Sequence, residues 1–102
     1  MNPIKQHIVE LLKAKGAFWS FDIGDQEPPD SVLMEKGLLF LEFEDMPLLF
    51  KLYGWNKLKR FWRENLVSQG EYFSTINWLL AVYFFNIPNP DKYLKRYARK
   101  HL

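Results

Sequence analysis

Apolar residues recur at the period of an α-helix along most of this chain, and proline or glycine interrupts the pattern at short intervals. In the clearest case, Trp55, Leu58, Phe61, Trp62 and Leu66 fall within about 140° of helical arc, and basic residues occupy the remaining face. Short amphipathic helices of this kind are stable only when they pack on one another and bury their apolar stripes. The pattern therefore predicts an all-α protein.

Prolines, glycines and capping residues predict the bounds of these helices. A proline in the first turn and a glycine after the last are typical helix limits, and Asp, Asn and Ser are favoured N-caps. At 102 residues the chain has the length of one compact domain, so we expect a single domain over residues 1–102 built from five to six short helices. The predicted helices cover residues 3–14, 30–37, 46–53, 55–66, 75–85 and 90–102.

Aromatic and aliphatic side chains predict where the core lies. The helix over 75–85 is apolar nearly all round and includes Trp78, which is typical of a buried central helix. Phe18, Trp19 and Phe21 lie in a segment rich in loop-forming residues, and we expect their rings to fill the core.

Residues 38–44 have a different pattern. Leu39, Leu41 and Phe43 alternate with the residues between them, a period of two that predicts one short extended segment. A helix is the alternative for so short a run. In the extended form Glu42 and Glu44 share one side and make a carboxylate pair that could hold a metal or share a proton.

Charge is unevenly distributed although the formal net charge is only +2. Residues 22–45 contain eight Asp and Glu and a single base, Lys36, so their formal charge is −7. Two predicted helices, over 55–66 and 90–102, each have a basic face. Either these surfaces neutralise one another, or the protein has separate acidic and basic docking surfaces.

Motifs of catalysis and cofactor binding are absent from the sequence. Without cysteine there is no thiolate metal site and no cysteine nucleophile. No phosphate-binding glycine loop, dinucleotide fingerprint or nucleophile elbow occurs, and His7 and His101 have no metal-ligand spacing. Asp22, Asp25 and Glu27 match a calcium loop only loosely. We expect no enzyme activity, no cofactor, no metal and no catalytic residue.

The sequence also has no targeting or membrane signal. Its longest uninterrupted apolar run, residues 78–85, has eight residues, against about 20 for a membrane-spanning helix. The N-terminal apolar stretch is short and contains Glu10, unlike a secretory signal. We expect a soluble, cytoplasmic protein with no membrane partner.

Nine basic residues are the candidate contacts for nucleic acid or an acidic partner. The segment 46–66 has the outline of a helix-turn-helix with Gly54 at the turn, although any pair of adjacent helices gives that outline. The C-terminal helix over 90–102 has tyrosines beside its basic face, an arrangement that suits a nucleic-acid backbone or an acidic partner. The candidate contacts are Lys57, Lys59, Arg60, Arg63, Lys92, Lys95, Arg96, Arg99 and Lys100.

A further set of residues resembles a known family. The chain is similar over most of residues 17–93 to a family of small uncharacterised bacterial helical domains, which are often encoded beside nucleotidyltransferase-fold toxins of the abortive-infection type. The matching residues are Phe18-Trp19-Ser20-Phe21, Val32-Leu33 to Gly37, Leu49 to Gly54, Trp62, and Leu79 to Ile87 followed by Pro88. The acidic loop 22–30 and the leading helix depart from the family pattern. The resemblance implies an antitoxin-like or accessory role and assigns no catalytic residue.

Together these features predict a non-catalytic helical module that binds a protein partner. The surplus of eighteen aromatic residues and the segregated charge both favour a docking surface. The alternative function is a nucleic-acid-binding domain that uses the helix-turn-helix-like segment 46–66 and the basic C-terminal helix 90–102. The sequence does not indicate an oligomeric state.

Overall fold

The computed structural model describes residues 2–18 and 27–98, and within them it is all-α, as predicted. These residues form six α-helices and one 3-10 segment and contain no β-strand. The elements are α1 (Pro3–Ala14), α2 (Asp30–Phe40), α3 (Met46–Tyr53), α4 (Trp55–Asn65), the 3-10 segment Val67–Phe73, α5 (Ser74–Tyr83) and α6 (Pro90–Tyr97). The chain divides into two compact units, Met1–Gly54 and Trp55–Leu102.

In the first unit, α1, α2 and α3 pack on one another around an aliphatic core. Asn2 begins α1 by accepting a hydrogen bond from the Ile4 backbone N–H at 2.8 Å on its side-chain oxygen, so one of the unpaired N–H groups of the first turn is satisfied. The completely buried side chains of this core include Ile8, Leu12, Leu33, Leu38 and Leu49. Phe18 is also buried, as predicted, whereas Trp19 and Phe21 lie outside the described residues.

The prediction of an extended segment over residues 38–44 is wrong. Helix α2 continues through Phe40, and residues 41–45 make a turn before α3. Gly37 therefore lies inside α2, where a Cβ atom would come within 2.8 Å of Leu49 Cδ2. Glycine at this position permits the close approach of α2 and α3, whereas the sequence pattern places it at the end of the helix.

Polar side chains connect α1, α2 and α3 at the surface of this unit. The Lys5 ammonium group pairs with Glu27 at 2.6 Å and with Asp30 at 3.1 Å, and the Tyr53 hydroxyl donates a hydrogen bond to Asp30 at 2.8 Å. Burial acts to lower the pKa of Lys5, but hydrogen bonds and charges of Glu27 and Asp30 outweigh it and raise that pKa. Burial raises the pKa of Tyr53, and the hydrogen bond to Asp30 raises it further.

These raised pKa values predict a loss of stability in alkaline solution. Tyr53 and Lys5 hold their protons more tightly in the folded protein than in the unfolded chain, so their contribution is complete below about pH 10 and is lost as the pH rises further. We expect Tyr53→Phe to reduce the fall in Tm between about pH 9 and about pH 11. Thermal unfolding of both proteins across this pH range measures the fall in Tm. Tyr72→Phe, the same change at an exposed tyrosine, is the control, and equal alkaline sensitivity of wild type and Tyr53→Phe would contradict the assignment.

In the second unit, the core is built around Trp62 of α4. This side chain is 0% exposed and its ring stacks on Phe85, with ring centroids 4.6 Å apart. The indole Nε1–H donates to Asn77 Oδ1 at 3.0 Å, and the Asn77 amide in turn donates to the Leu66 carbonyl at 3.1 Å. Because Asn77 is itself buried, these hydrogen bonds satisfy polar groups that water does not reach.

The prediction that the helix over 75–85 is buried nearly all round is wrong. Helix α5 buries Asn77, Leu80 and Ala81, but Trp78 is 42% exposed and Tyr83 is 60% exposed. A helix of ten residues in so small a unit has too few neighbours to cover every face, so its apolar composition leaves rings at the surface. Trp78 is therefore available for contact with another molecule.

Candidate functional site

The second unit is strongly basic and contains all nine of the predicted contact residues. Residues 55–102 include nine Lys and Arg against three Asp and Glu, a formal charge of +6, whereas residues 1–54 have five against nine, a formal charge of −4. The charge boundary thus coincides with the boundary between the two units. Any contact with an acidic macromolecule would therefore be strongest on the second unit.

Three of the predicted bases lie over aromatic rings contributed by α4 and α6. The Lys59 ammonium group lies 4.7 Å from the Trp55 ring centroid and 5.9 Å from that of Tyr93. On the Tyr97 ring, the guanidinium groups of Arg63 and Arg96 lie at 5.1 Å and 5.6 Å. We call these six residues, Trp55, Lys59, Arg63, Tyr93, Arg96 and Tyr97, the cation–aromatic cluster.

Helical spacing explains how this cluster forms. Lys59 and Arg63 are four residues apart on α4, and Tyr93 and Tyr97 are four apart on α6, so each pair occupies one side of its helix. The Tyr93 ring also stacks on the buried Trp62 at 5.9 Å, with 5° between the ring planes. The core residue Trp62 therefore holds α6 against α4 and brings the two basic helix faces together.

The remaining predicted bases lie outside the cation–aromatic cluster. Lys57, Arg60 and Lys92 are exposed on α4 and α6, and Lys95 lines a groove on another side of α6. Arg99 and Lys100 lie outside the described residues. Within the described part of the chain, ion pairs join Lys5 and Lys15 to carboxylates of the first unit, and none involves Arg60, Lys92 or Arg96.

The two helices of the predicted helix-turn-helix-like segment belong to different units. Helix α3 packs on α1 and α2 in the first unit, α4 packs on the 3-10 segment in the second, and the single residue Gly54 joins them. Within this segment, the predicted contact residues Lys57, Lys59, Arg60 and Arg63 all lie on α4.

A groove, which we call the Trp78 groove, runs between the 3-10 segment, α5 and α6 and has a volume of about 940 Å³. Its apolar lining comes from Val67, Trp78, Leu79, Leu94 and Ala98. Two of the three acidic residues of this unit, Glu71 and Asp91, also line it, together with Lys95. Six of the twelve lining residues are exposed, including Trp78, so the groove is an open surface depression and not an enclosed cavity.

The carboxylates considered for metal or acid–base chemistry lie in ion pairs, in an exposed turn or outside the described residues. Glu27 pairs with Lys5, and Glu42 pairs with Lys15, whose hydrogen bond and charge lower the pKa of that carboxyl. Glu44 is exposed in the turn after α2, and Asp22 and Asp25 lie outside the described residues. Among the residues that the structure describes, no three His, Asp or Glu side chains are grouped to hold a metal ion.

Comparison with protein-family models, curated proteins and solved structures finds no match to this chain. Among the described helices, none is both long enough and apolar enough to cross a membrane. A functional proposal for this protein therefore depends on the chemistry of its own two surfaces, the cation–aromatic cluster and the Trp78 groove.

Sequence patterns predict each of these two surfaces only in part. Helical periodicity places Trp55 and Trp78 on apolar helix faces, yet each is 42% exposed. For Tyr93 and Tyr97, the spacing correctly places both rings next to a basic face, but nothing in it indicates that cations of α4 lie over them. The groove has no sequence signal, because it depends on how α5 and α6 pack on a 3-10 segment that no pattern predicts.

Proposed function

We propose that this protein is a non-catalytic module that binds a protein partner in the Trp78 groove of its second unit. The observation that carries this proposal is the exposed indole of Trp78 within an apolar depression of about 940 Å³. Tryptophan in such a position is typical of the residues that contribute most to protein–protein affinity.

The open form of the groove favours a polypeptide over a small molecule. Small ligands bind where most of their surface becomes buried, whereas half of the lining residues here are already exposed at the surface. Three helical elements form its walls, a shape suited to an amphipathic helix that places its apolar side chains beside Trp78.

Charge at the groove defines the partner further. Although the unit as a whole is basic, the groove contains Glu71 and Asp91 against the single base Lys95. We therefore propose an occupant with an apolar stripe and at least one Lys or Arg facing Glu71 and Asp91. Nucleic acid and acidic proteins lack this combination.

The family resemblance extends the proposal to a biological role. It implies an antitoxin-like or accessory protein, and we propose that the partner is a nucleotidyltransferase-fold toxin encoded beside this chain. We place this role in the bacterial cytoplasm, in keeping with the bacterial family that the chain resembles. The chain would then act as the companion and contribute no catalytic residue.

Affinity capture of the tagged full-length protein from its native cells tests the proposed site. We expect one stoichiometric partner with wild type, and loss of most of that partner with Trp78→Ala or Glu71→Lys, because these changes remove the apolar anchor or reverse the groove charge. Quantitative mass spectrometry measures the recovery. Tyr83→Ala, an exposed aromatic of the same helix that does not line the groove, is the matched control.

Two outcomes of the capture experiment would overturn the proposed function. One is the recovery of no stoichiometric partner under mild salt. The other is a partner that both groove variants and the control retain equally, because that partner would bind elsewhere. Light scattering of the purified protein identifies the case in which a second copy of this chain occupies the groove, and this result would also overturn the proposal.

A further inference from the structure

We propose that the cation–aromatic cluster is a second binding surface, separate from the Trp78 groove, and that its ligand is a single-stranded nucleic acid. Single-stranded binders combine cations that contact the phosphates with aromatic rings on which bases stack. The cluster supplies both in one place, with three cations over three rings contributed by α4 and α6. This inference does not depend on the protein partner proposed above.

The cations of this surface are available to phosphates. Arg63 and Arg96 have no ion pair with any carboxylate of the described residues, and both guanidinium groups lie over the Tyr97 ring. Exposed Arg60 and Lys92 lie on the same two helices and extend the positive potential beyond the cluster. A guanidinium held over a ring keeps its N–H donors free for phosphate oxygens.

Trp55 is the ring best placed to stack on a base. It is 42% exposed, and its position is fixed by an edge contact with the Phe85 ring at 6.2 Å and by a hydrogen bond from its Nε1 to the Phe84 carbonyl at 3.3 Å. Lys59 lies 4.7 Å from the same ring, so a stacked base would have a cation next to its own phosphate. A ring that is already oriented loses little conformational entropy when it binds.

The geometry favours a single strand over a duplex. A duplex reader inserts a protruding helix into the major groove. Here the side of α4 that holds Lys59 and Arg63 is packed against rings of α6, and both side chains are partly buried. Such a surface can accept a flexible strand with unstacked bases, but it does not present a free recognition helix.

Fluorescence anisotropy of labelled oligonucleotides tests this site in the full-length protein. The probes are oligo(dT) and oligo(U) of about 15 nucleotides and a duplex of the same length. We expect both single strands to bind more tightly than the duplex, with affinity that falls as salt is raised. The comparison of dT with U distinguishes a DNA from an RNA ligand.

Variants of the cluster give the quantitative test. Trp55→Ala is expected to weaken binding about 5- to 150-fold. Trp55→Phe, which keeps an aromatic ring, is expected to retain most of the wild-type affinity. Replacing Lys59 and Arg96 with Gln is expected to reduce the salt slope by about 0.7 for each phosphate that the protein no longer neutralises. Lys13→Gln and Lys51→Gln, exposed lysines of the first unit, are the matched charge control.

Three results would overturn this inference. They are no binding of any single strand at low salt, a preference for the duplex, and equal losses of affinity with the cluster variants and the first-unit control. Circular dichroism of each variant establishes that it is folded. If Trp55→Ala does not fold, the comparison of wild type with Trp55→Phe and with the Lys59 and Arg96 variants decides the question.

Discussion

Replacement of Trp62 by alanine is expected to cost about 3–5 kcal/mol of unfolding free energy. The side chain is completely buried, stacks on Phe85 and Tyr93, and donates a hydrogen bond to Asn77. Truncation removes the apolar packing, leaves a large cavity and leaves Asn77 without its donor. Domains of this size are stable by only about 5–15 kcal/mol, so the loss is a large part of the total.

Urea unfolding followed by far-UV circular dichroism measures this change, with Trp78→Ala as the matched control. Trp78 is a tryptophan of the same unit but is 42% exposed, so we expect its truncation to cost about 1 kcal/mol or less. Equal costs for the two variants would contradict the assignment of Trp62 to the core and of Trp78 to the surface. The same comparison supports the use of Trp78→Ala as a binding variant.

Asn77→Ala is expected to cost about 1–3 kcal/mol although it removes only a small side chain. Its amide joins the Trp62 indole to the Leu66 carbonyl, and both of these groups are shielded from water. Removing Asn77 leaves the buried indole N–H of Trp62 unpaired at the cost of its desolvation, whereas the Leu66 carbonyl keeps the hydrogen bond that the Gln69 backbone N–H donates to it at 3.2 Å. Equilibrium urea unfolding again measures the difference.

Asn65→Ala provides the matched control for this prediction. Its amide also donates to a backbone carbonyl, that of Phe61 at 2.9 Å, but the site is exposed and water replaces the missing hydrogen bond. We expect that variant to be neutral or slightly stabilising, since alanine is the better helix former. In a Trp62→Phe background the cost of Asn77→Ala is expected to fall, because the indole donor is absent. An unchanged cost would contradict the role assigned to this hydrogen bond.

Local sequence signals predict the helices well where a capping residue marks a helix end or apolar residues recur at helical spacing. The bounds of α1 and α3 agree with the structure because proline or an N-cap begins each helix and glycine follows it. Gly37 misleads the same reasoning, because its role depends on how closely Leu49 approaches from another helix. The 3-10 segment has no pattern at all, and Gly70 interrupts it with φ of 63°.

The candidate surfaces could be predicted only in outline. Clustering of bases on two helices is visible in the sequence, since it follows from helical spacing within each helix. Pairing of those helices through Trp62 and Tyr93 is not visible, because it joins residues far apart in the chain. Exposure of Trp55 and Trp78 likewise depends on how few neighbours a small unit provides.

Trp55→Ala and Trp78→Ala, compared in both binding assays, decide whether the protein has two separate binding surfaces. The two tryptophans have the same 42% exposure and lie on the two proposed surfaces. We predict that Trp78→Ala loses the captured protein partner and keeps its affinity for oligo(dT) and oligo(U), and that Trp55→Ala does the reverse. If both variants lose the protein partner together, or if neither loses it, the assignment of the Trp78 groove as the docking site is contradicted.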